Sequence, residues 1–185
     1  AGSGAWEIPQ APGVILLETV TAANSANITF STDTFIAGLN HIEFAISGLM
    51  PGSANDNLFF EISYDGGASW QTANYSNANQ VTVAGSGLIV PTGYNVTSAG
   101  ILNHTSNGPG TGSGFGWNGK VSFFQLTGQR PCFFFNGVYY TNSPVMFTVT
   151  GGGAHSASTA VNAVRFRYGS SVCVSGEVSS FGFMK

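Results

Sequence analysis

Charge is what this chain has least of. Asp, Glu, Lys and Arg make up 7% of its 185 residues, against about 25% in ordinary soluble domains. Its five Lys and Arg form no basic stripe, and the net charge is −3. A nucleic-acid backbone would find little to hold, so nucleic acid is not an expected partner. No apolar run approaches the roughly 20 residues of a spanning helix, so no membrane span is expected. The opening AGSGAWEIPQ has neither a basic nor an apolar leader segment, so no secretory signal is expected in it. Cysteine is almost absent: Cys132 and Cys173 fit no zinc or redox spacing. Each sits in an apolar, strand-like run. That fits two buried thiols, or a disulfide if the two strands are neighbours.

The usual catalytic arrangements are missing too. No Ser stands in G-x-S-x-G. His41, His104 and His155 are scattered. His41 and Glu43 share the polar face of one strand, but nothing nearby completes a metal site, so they read as a solvated pair and no metal or other cofactor is expected. Glycoside hydrolysis needs two carboxylates flanking a bond. Only Glu61 and Asp65 lie close in sequence, and a turn already accounts for Asp65. Gly114-Phe-Gly116-Trp-Asn-Gly119 matches a dinucleotide fingerprint in letters, yet it sits in a glycine-rich loop before a strand instead of opening a helix. The sequons at Asn27, Asn74, Asn95 and Asn103 are what chance gives in a chain this rich in Asn, Ser and Thr. A non-enzyme is expected.

What the chain does have is alternation. Ile28 and Phe30 point one way and Asn27 and Thr29 the other. Ile42, Phe44 and Ile46 alternate with Glu43, Ala45 and Ser47. Val145, Phe147 and Val149 alternate with Met146, Thr148 and Thr150, and Val164, Phe166 and Tyr168 with Arg165 and Arg167. This is the period of a half-buried strand. Further strands are expected at Val14–Val20, Val81–Val83, Leu88–Val90, Lys120–Leu126 and Glu177–Phe183. Cys132–Phe135 and Val138–Tyr140 read as a hairpin turning at Asn136-Gly137, and Gly151-Gly152-Gly153 breaks the strand before it. No stretch has a helical period. Eight to twelve short strands indicate an all-β, antiparallel β-sandwich, in a jelly-roll-like form. The expected organisation is an irregular N-terminal arm over residues 1–13, then one sandwich domain over 14–185. A glycine-rich excursion near 105–119 is too poor in side chains to pack, and so exposed.

The strand Leu58 to Tyr64 leads into Asp65-Gly66-Gly67, with Trp70 returning on a partner strand. The order Ser63-x-Asp65-x-Gly67-x-Ser69-Trp70 resembles the Asp-box, a β-hairpin motif of sialidases and of many secreted or viral β-proteins. The resemblance implies that Ser63, Asp65 and Ser69 tie the turn, that Gly67 supplies its backbone freedom, and that Trp70 packs beneath it. That is a folding role. With one copy and no visible repeat, a propeller is disfavoured.

Aromatic residues are abundant, at 13%. Tyr75, Tyr94, Trp117, Tyr139 and Tyr140 fall in or beside loops, where an exposed ring next to amides can stack on a sugar. Trp117 is the leading candidate, since its glycine neighbours offer little to bury it. Arg165 and Arg167 share a strand face and are candidates for an acidic glycan or a partner subunit; pairing with acids across the sheet is the alternative.

Three segments are similar to a β-sandwich domain of bacteriophage structural proteins: Ile42–Leu49 with the following Leu58–Trp70, Val161–Phe166, and Gly169–Ser171 through Ser175-Gly176 to Phe181-Gly182-Phe183. Val172-Cys173 departs from that pattern, where Asn-Ile is usual. The resemblance implies that the last two segments form a C-terminal hairpin. It also implies a place in tail fibres, head fibres or capsid decoration, with no site residues to carry over. The expected function is therefore a non-enzymatic virion protein displayed on capsid or tail. Its partners would be other virion proteins and further copies of itself, and host surface polysaccharide is its candidate ligand. The alternatives are a capsid-stabilising decoration or minor capsid protein without ligand, and a carbohydrate-active enzyme or its binding module.

Overall fold

The computed structural model describes residues 13–31, 39, 41–87, 89–96, 100–125 and 128–183, with backbone only for 89–96. Of the arm expected at 1–13, all but Gly13 lies outside the described residues, as does the end of the strand expected to reach Leu126. Twelve strands are present among the described residues: β1 (Val14–Thr21), β2 (Ile28–Phe30), β3 (His41–Pro51), β4 (Leu58–Ser63), β5 (Tyr75–Val83), β6 (Ile89–Val96), β7 (Gly100–Ile101), β8 (Trp117–Phe124), β9 (Cys132–Tyr140), β10 (Met146–His155), β11 (Ala163–Tyr168) and β12 (Cys173–Phe183). No helix occurs among those residues, so none is long and apolar enough to cross a membrane.

The strands form two antiparallel sheets packed as a sandwich. One has eight strands in the order β1-β12-β3-β8-β9-β10-β5-β6, and the other four in the order β2-β11-β4-β7. This unequal division does not establish the jelly-roll connectivity expected from the sequence. Alternation puts Ile42, Phe44 and Ile46 of β3 against Phe60 of β4, Phe30 of β2 and Phe166 of β11, all buried. Phe44 lies 5.2 Å from Phe30, 5.4 Å from Phe166 and 6.2 Å from Phe60, ring centre to ring centre. Each such ring contributes roughly 1.5–3 kcal/mol by leaving water, and tilted contacts between rings add to that.

Four sequence expectations fail, each for a physical reason. First, Asn136-Gly137 is no turn. β9 runs straight through it, with Gly137 opposite Gly119 on one side and Val149 on the other. Gly137 is there for space, because a Cβ on it would stand 2.2 Å from the Trp117 ring. Second, the Gly151–Gly153 run continues β10. Cβ atoms there would strike the rings of Phe135, Phe134 and Phe133 in turn, at 2.6, 2.9 and 2.7 Å.

Third, the chain after β4 does not form a hairpin. β4 pairs with β11 and β7, while β5 lies in the other sheet. The Asp65-Gly66-Gly67 turn therefore carries the chain from one sheet to the other, closed by the Gln71 amide donating to the Ile62 carbonyl. Fourth, the expected C-terminal hairpin is absent: β11 and β12 belong to opposite sheets.

The excursion at 105–119 is also more packed than its composition suggests. Gly108, Pro109, Gly110 and Gly116 are buried, and the exposed residues cluster at the tip. A Cβ on Gly108 would meet the Asp56 carbonyl oxygen at 2.1 Å, so the glycine allows the loop to lie against backbone. Cys132 and Cys173 are both free thiols. Two strands, β3 and β8, lie between β12 and β9 in the sheet, so the two cysteine-bearing strands are not neighbours and no disulfide forms. Cys173 is fully buried, and burial pushes its thiol up to about 11, which keeps it protonated and inert.

Candidate functional site

Trp117, Tyr75 and Tyr139, expected as exposed stacking platforms, are core residues. Each has its polar tip satisfied inside the protein. The Trp117 indole N–H donates to the Leu102 carbonyl at 3.0 Å. The Tyr75 hydroxyl donates to the Gln71 carbonyl and accepts from the Ile62 amide. The Tyr139 hydroxyl donates to the Asn107 carbonyl and accepts from the His104 amide. Burial raises the pKa of both tyrosines. The sequence concealed this because the space for Trp117 comes from Gly137, two strands' length away in the chain. The Tyr94 side chain lies outside what is described. Among the aromatic candidates with described side chains, Tyr140 alone remains open, at 38% exposure, with its ring 5.8 Å from Phe115.

Arg165 and Arg167 do share the outer face of the small sheet, and both are taken by one carboxylate. Glu61, fully buried, accepts from Arg165 at 2.6 and 2.7 Å and from Arg167 at 2.7 and 3.0 Å. Arg165 lies over the Trp70 ring at 4.5 Å, and Arg167 over Phe59 at 4.8 Å. The register supplies the geometry, since Arg165 stands directly opposite Glu61. Five side chains thus form a closed ionic and cation–π cluster, with each guanidinium committed to Glu61 and to a ring.

The turn residues are bound together as the Asp-box resemblance implies. Ser63 Oγ donates to Asp65 at 2.7 Å and accepts the Gly67 amide at 2.9 Å. Ser69 donates to Asp65 through its amide and its hydroxyl. These bonds, from the Ser69 and Ser63 hydroxyls above all, lower the Asp65 carboxyl to about 2. Gly67 has φ +94° and sits against the Trp70 ring.

Two polar residues not expected to have a structural role hold loops. Asp56 accepts from the amides of Asn57, Gly169 and Ser170 and from the hydroxyls of Ser170 and Ser171. Burial works to raise its pKa, but these bonds outweigh it and the net shift is downward. Asn103, with no exposed surface, accepts the Leu58 amide and donates to Asn57 and to the His104 carbonyl. Asp56 carries no local motif, and the sequon at Asn103 says nothing of the buried amide contacts it makes.

The outer face of the large sheet is different in kind. Val14 stands opposite Phe183, His41 opposite Phe124, and Phe124 opposite Cys132. His41 is sandwiched between Phe183 at 4.2 Å and Phe124 at 4.3 Å, with rings within 11° and 13° of parallel. The next row holds Leu16, Phe181, Glu43, Ser122 and Phe134, each opposite the next. Leu16 and Phe134 are each 61% exposed and Val14 58%. Glu43 accepts from Lys120 at 3.0 Å, and the row beyond, Ser179, Ala45, Lys120 and Asn136, has no large apolar side chain. An apolar, aromatic band therefore crosses five strands at one end of the sheet, from β1 to β9. A monomer rarely leaves a contiguous patch of this kind in water without a use for it. Burial holds His41 below its ordinary pKa, with Glu43 pulling the other way and Lys120 adding to the depression, so the stack is neutral at pH 7.

Glu61 is committed to two arginines and so is not free for acid–base chemistry. Among the described residues, no group of three or more His, Cys, Asp and Glu is placed to hold a metal. No protein-family model, curated protein or solved structure matches the chain.

Proposed function

We propose that this protein is a non-enzymatic structural component of a bacteriophage particle, displayed on capsid or tail and working through its surfaces. The observation that carries this reading is the apolar band over Val14, Leu16, Phe181, Phe183 and Phe134, which suits burial against a partner subunit and leaves Phe124 at its border with the neighbouring cleft. The scarcity of charge supports it, since little self-repulsion opposes association at high local concentration. The resemblance of three segments to phage structural β-sandwich domains supplies the particle. Display in many copies would turn weak contacts, including contacts to host surface glycans, into strong attachment.

A second reading, a capsid-stabilising protein without ligand, gains from the burial of Trp117, Tyr75 and Tyr139, which removes three of the platforms a glycan site would have used. The test is to add purified protein to particles assembled without it. Wild type is expected to bind and Leu16→Ser/Phe134→Ser to bind at least about tenfold more weakly, with an unchanged melting temperature because both residues are exposed. Equal binding of the two proteins, or no binding of wild type, would overturn this reading. Loss of heat resistance in particles lacking the protein, with no glycan bound, would favour the second.

A further inference from the structure

Beside the aromatic band lies a cleft of about 520 Å³ lined by Phe124, Gly128, Gln129, Arg130, Cys132 and Ser158. Its volume falls within the roughly 300–1,000 Å³ of small-ligand sites. Its walls are pinned. Gln125 accepts the Val161 amide and donates to the Thr159 carbonyl, both at 2.7 Å, tying the segment after β8 to the segment after β10. The His155 amide donates to the Pro131 carbonyl at 3.1 Å and fixes the entry to β9.

Two features of this cleft point to a ligand. The first is its cation. Lys120 is paired with Glu43, and Arg165 and Arg167 with Glu61, whereas Arg130 has no carboxylate partner among the described residues. The second is its ring. His41 covers the face of Phe124 that looks toward β3. Phe124 also lines the cleft, together with Cys132, which stands opposite it on β9. The three-ring stack Phe183–His41–Phe124 thus ends in a ring held in place from behind. Phe134 stands edge-on to it at 6.0 Å.

We propose that this cleft binds the carboxylate-bearing ring of an acidic saccharide, its apolar C–H face on Phe124 and its carboxylate on Arg130. A single guanidinium presents a planar fork that matches one carboxylate in charge and in geometry. The electron-rich ring face favours the weakly positive C–H face of a sugar. Gln129 and Ser158 supply amide and hydroxyl groups for the sugar hydroxyls. That such a sugar is met on a host surface rests on the proposed display on a particle; the site itself does not.

The test uses the isolated chain. Tetragalacturonate, its methyl ester, acetate and inorganic phosphate are titrated while affinity and the NMR signals of Arg130 and Phe124 are followed. Tetragalacturonate is expected to shift both signals. The methyl ester, and the Arg130→Gln variant with the acid, are each expected to bind about tenfold more weakly, the worth of one charge-assisted pair. Phe124→Leu is expected to weaken acid and ester alike. Undiminished binding by Arg130→Gln, an unchanged affinity in Phe124→Leu, or no shift at either residue would overturn the proposal. So would acetate or phosphate binding as tightly as the sugar, since that would mark a simple anion site. None of these outcomes bears on whether the protein is found in particles, so failure of the site and failure of the proposed function are separable.

Discussion

Glu61 has no exposed surface, and both of its oxygens are held by guanidinium groups. Removing one partner of a buried ion pair leaves the others uncompensated, which is far costlier than the net worth of the pair. Glu61→Gln is therefore expected to lower the unfolding free energy by about 3 kcal/mol, read by chemical denaturation. A change under about 0.5 kcal/mol, typical of a surface site, would show that the cluster is not structural. Asp65 acts at the same scale but on the surface. Its carboxyl, lowered to about 2 from 3.8 by the Ser69 and Ser63 hydroxyls, contributes stability that is complete above pH 3.8 and lost as the pH falls through about 2. Asp65→Ala should lower the melting temperature at pH 7 and remove that part of the acid dependence, while leaving ligand and particle binding as they were. The histidines add a second window. Burial lowers the pKa of His41, His104 and His155 in the folded chain. The unfolded chain therefore binds protons that the folded one refuses. Stability is complete above the ordinary histidine value of 6.5 and declines as the pH falls below it. A melting temperature constant from pH 7 to 5 would contradict this.

At the scale of the element, glycine decides more than the sequence suggests. The alternation of β3, β10 and β11 is legible because their inward residues are large and apolar and their outward ones are not. β5 was legible only at its end, because its inward positions include Asn77 and Asn79, buried with their amides donating to the Ile101 carbonyl. Asn136-Gly137 and Gly151–Gly153 were misread because a glycine that makes room for a distant ring looks, in sequence, like a glycine that makes a turn. Trp117 and Gly137 are joined only by the fold. Gly137→Ala should test this directly. With its Cβ 2.2 Å from the Trp117 ring, strain of about 1–3 kcal/mol is expected, read by denaturation. A neutral result would mean that β9 and β8 can separate at no cost.

For the whole molecule, the class was legible and the arrangement was not. Strand periodicity, turn residues and the lack of a helical period give an antiparallel sandwich. Which strands share a sheet depends on pairings such as β12 with β1 and β3, between residues more than a hundred positions apart, and no local signal encodes these. The candidate surfaces divide the same way. Arg165 and Arg167 were correctly placed on one face by alternation, but their shared partner Glu61 emerged only from the register. The aromatic band arises where the outward residues of β1, β12, β3, β8 and β9 meet at one end of the sheet. Each is an unremarkable Val, Leu or Phe in its own strand.

A sandwich with few charges and an apolar outer band on its large sheet is suited to being covered in an assembly. The count of this chain in purified particles, by quantitative mass spectrometry against the major shell protein, tests that most directly. A fixed, multiple copy number that survives repeated banding of the particles is expected. Absence from the particles, or a trace that falls with each round of purification, would contradict it.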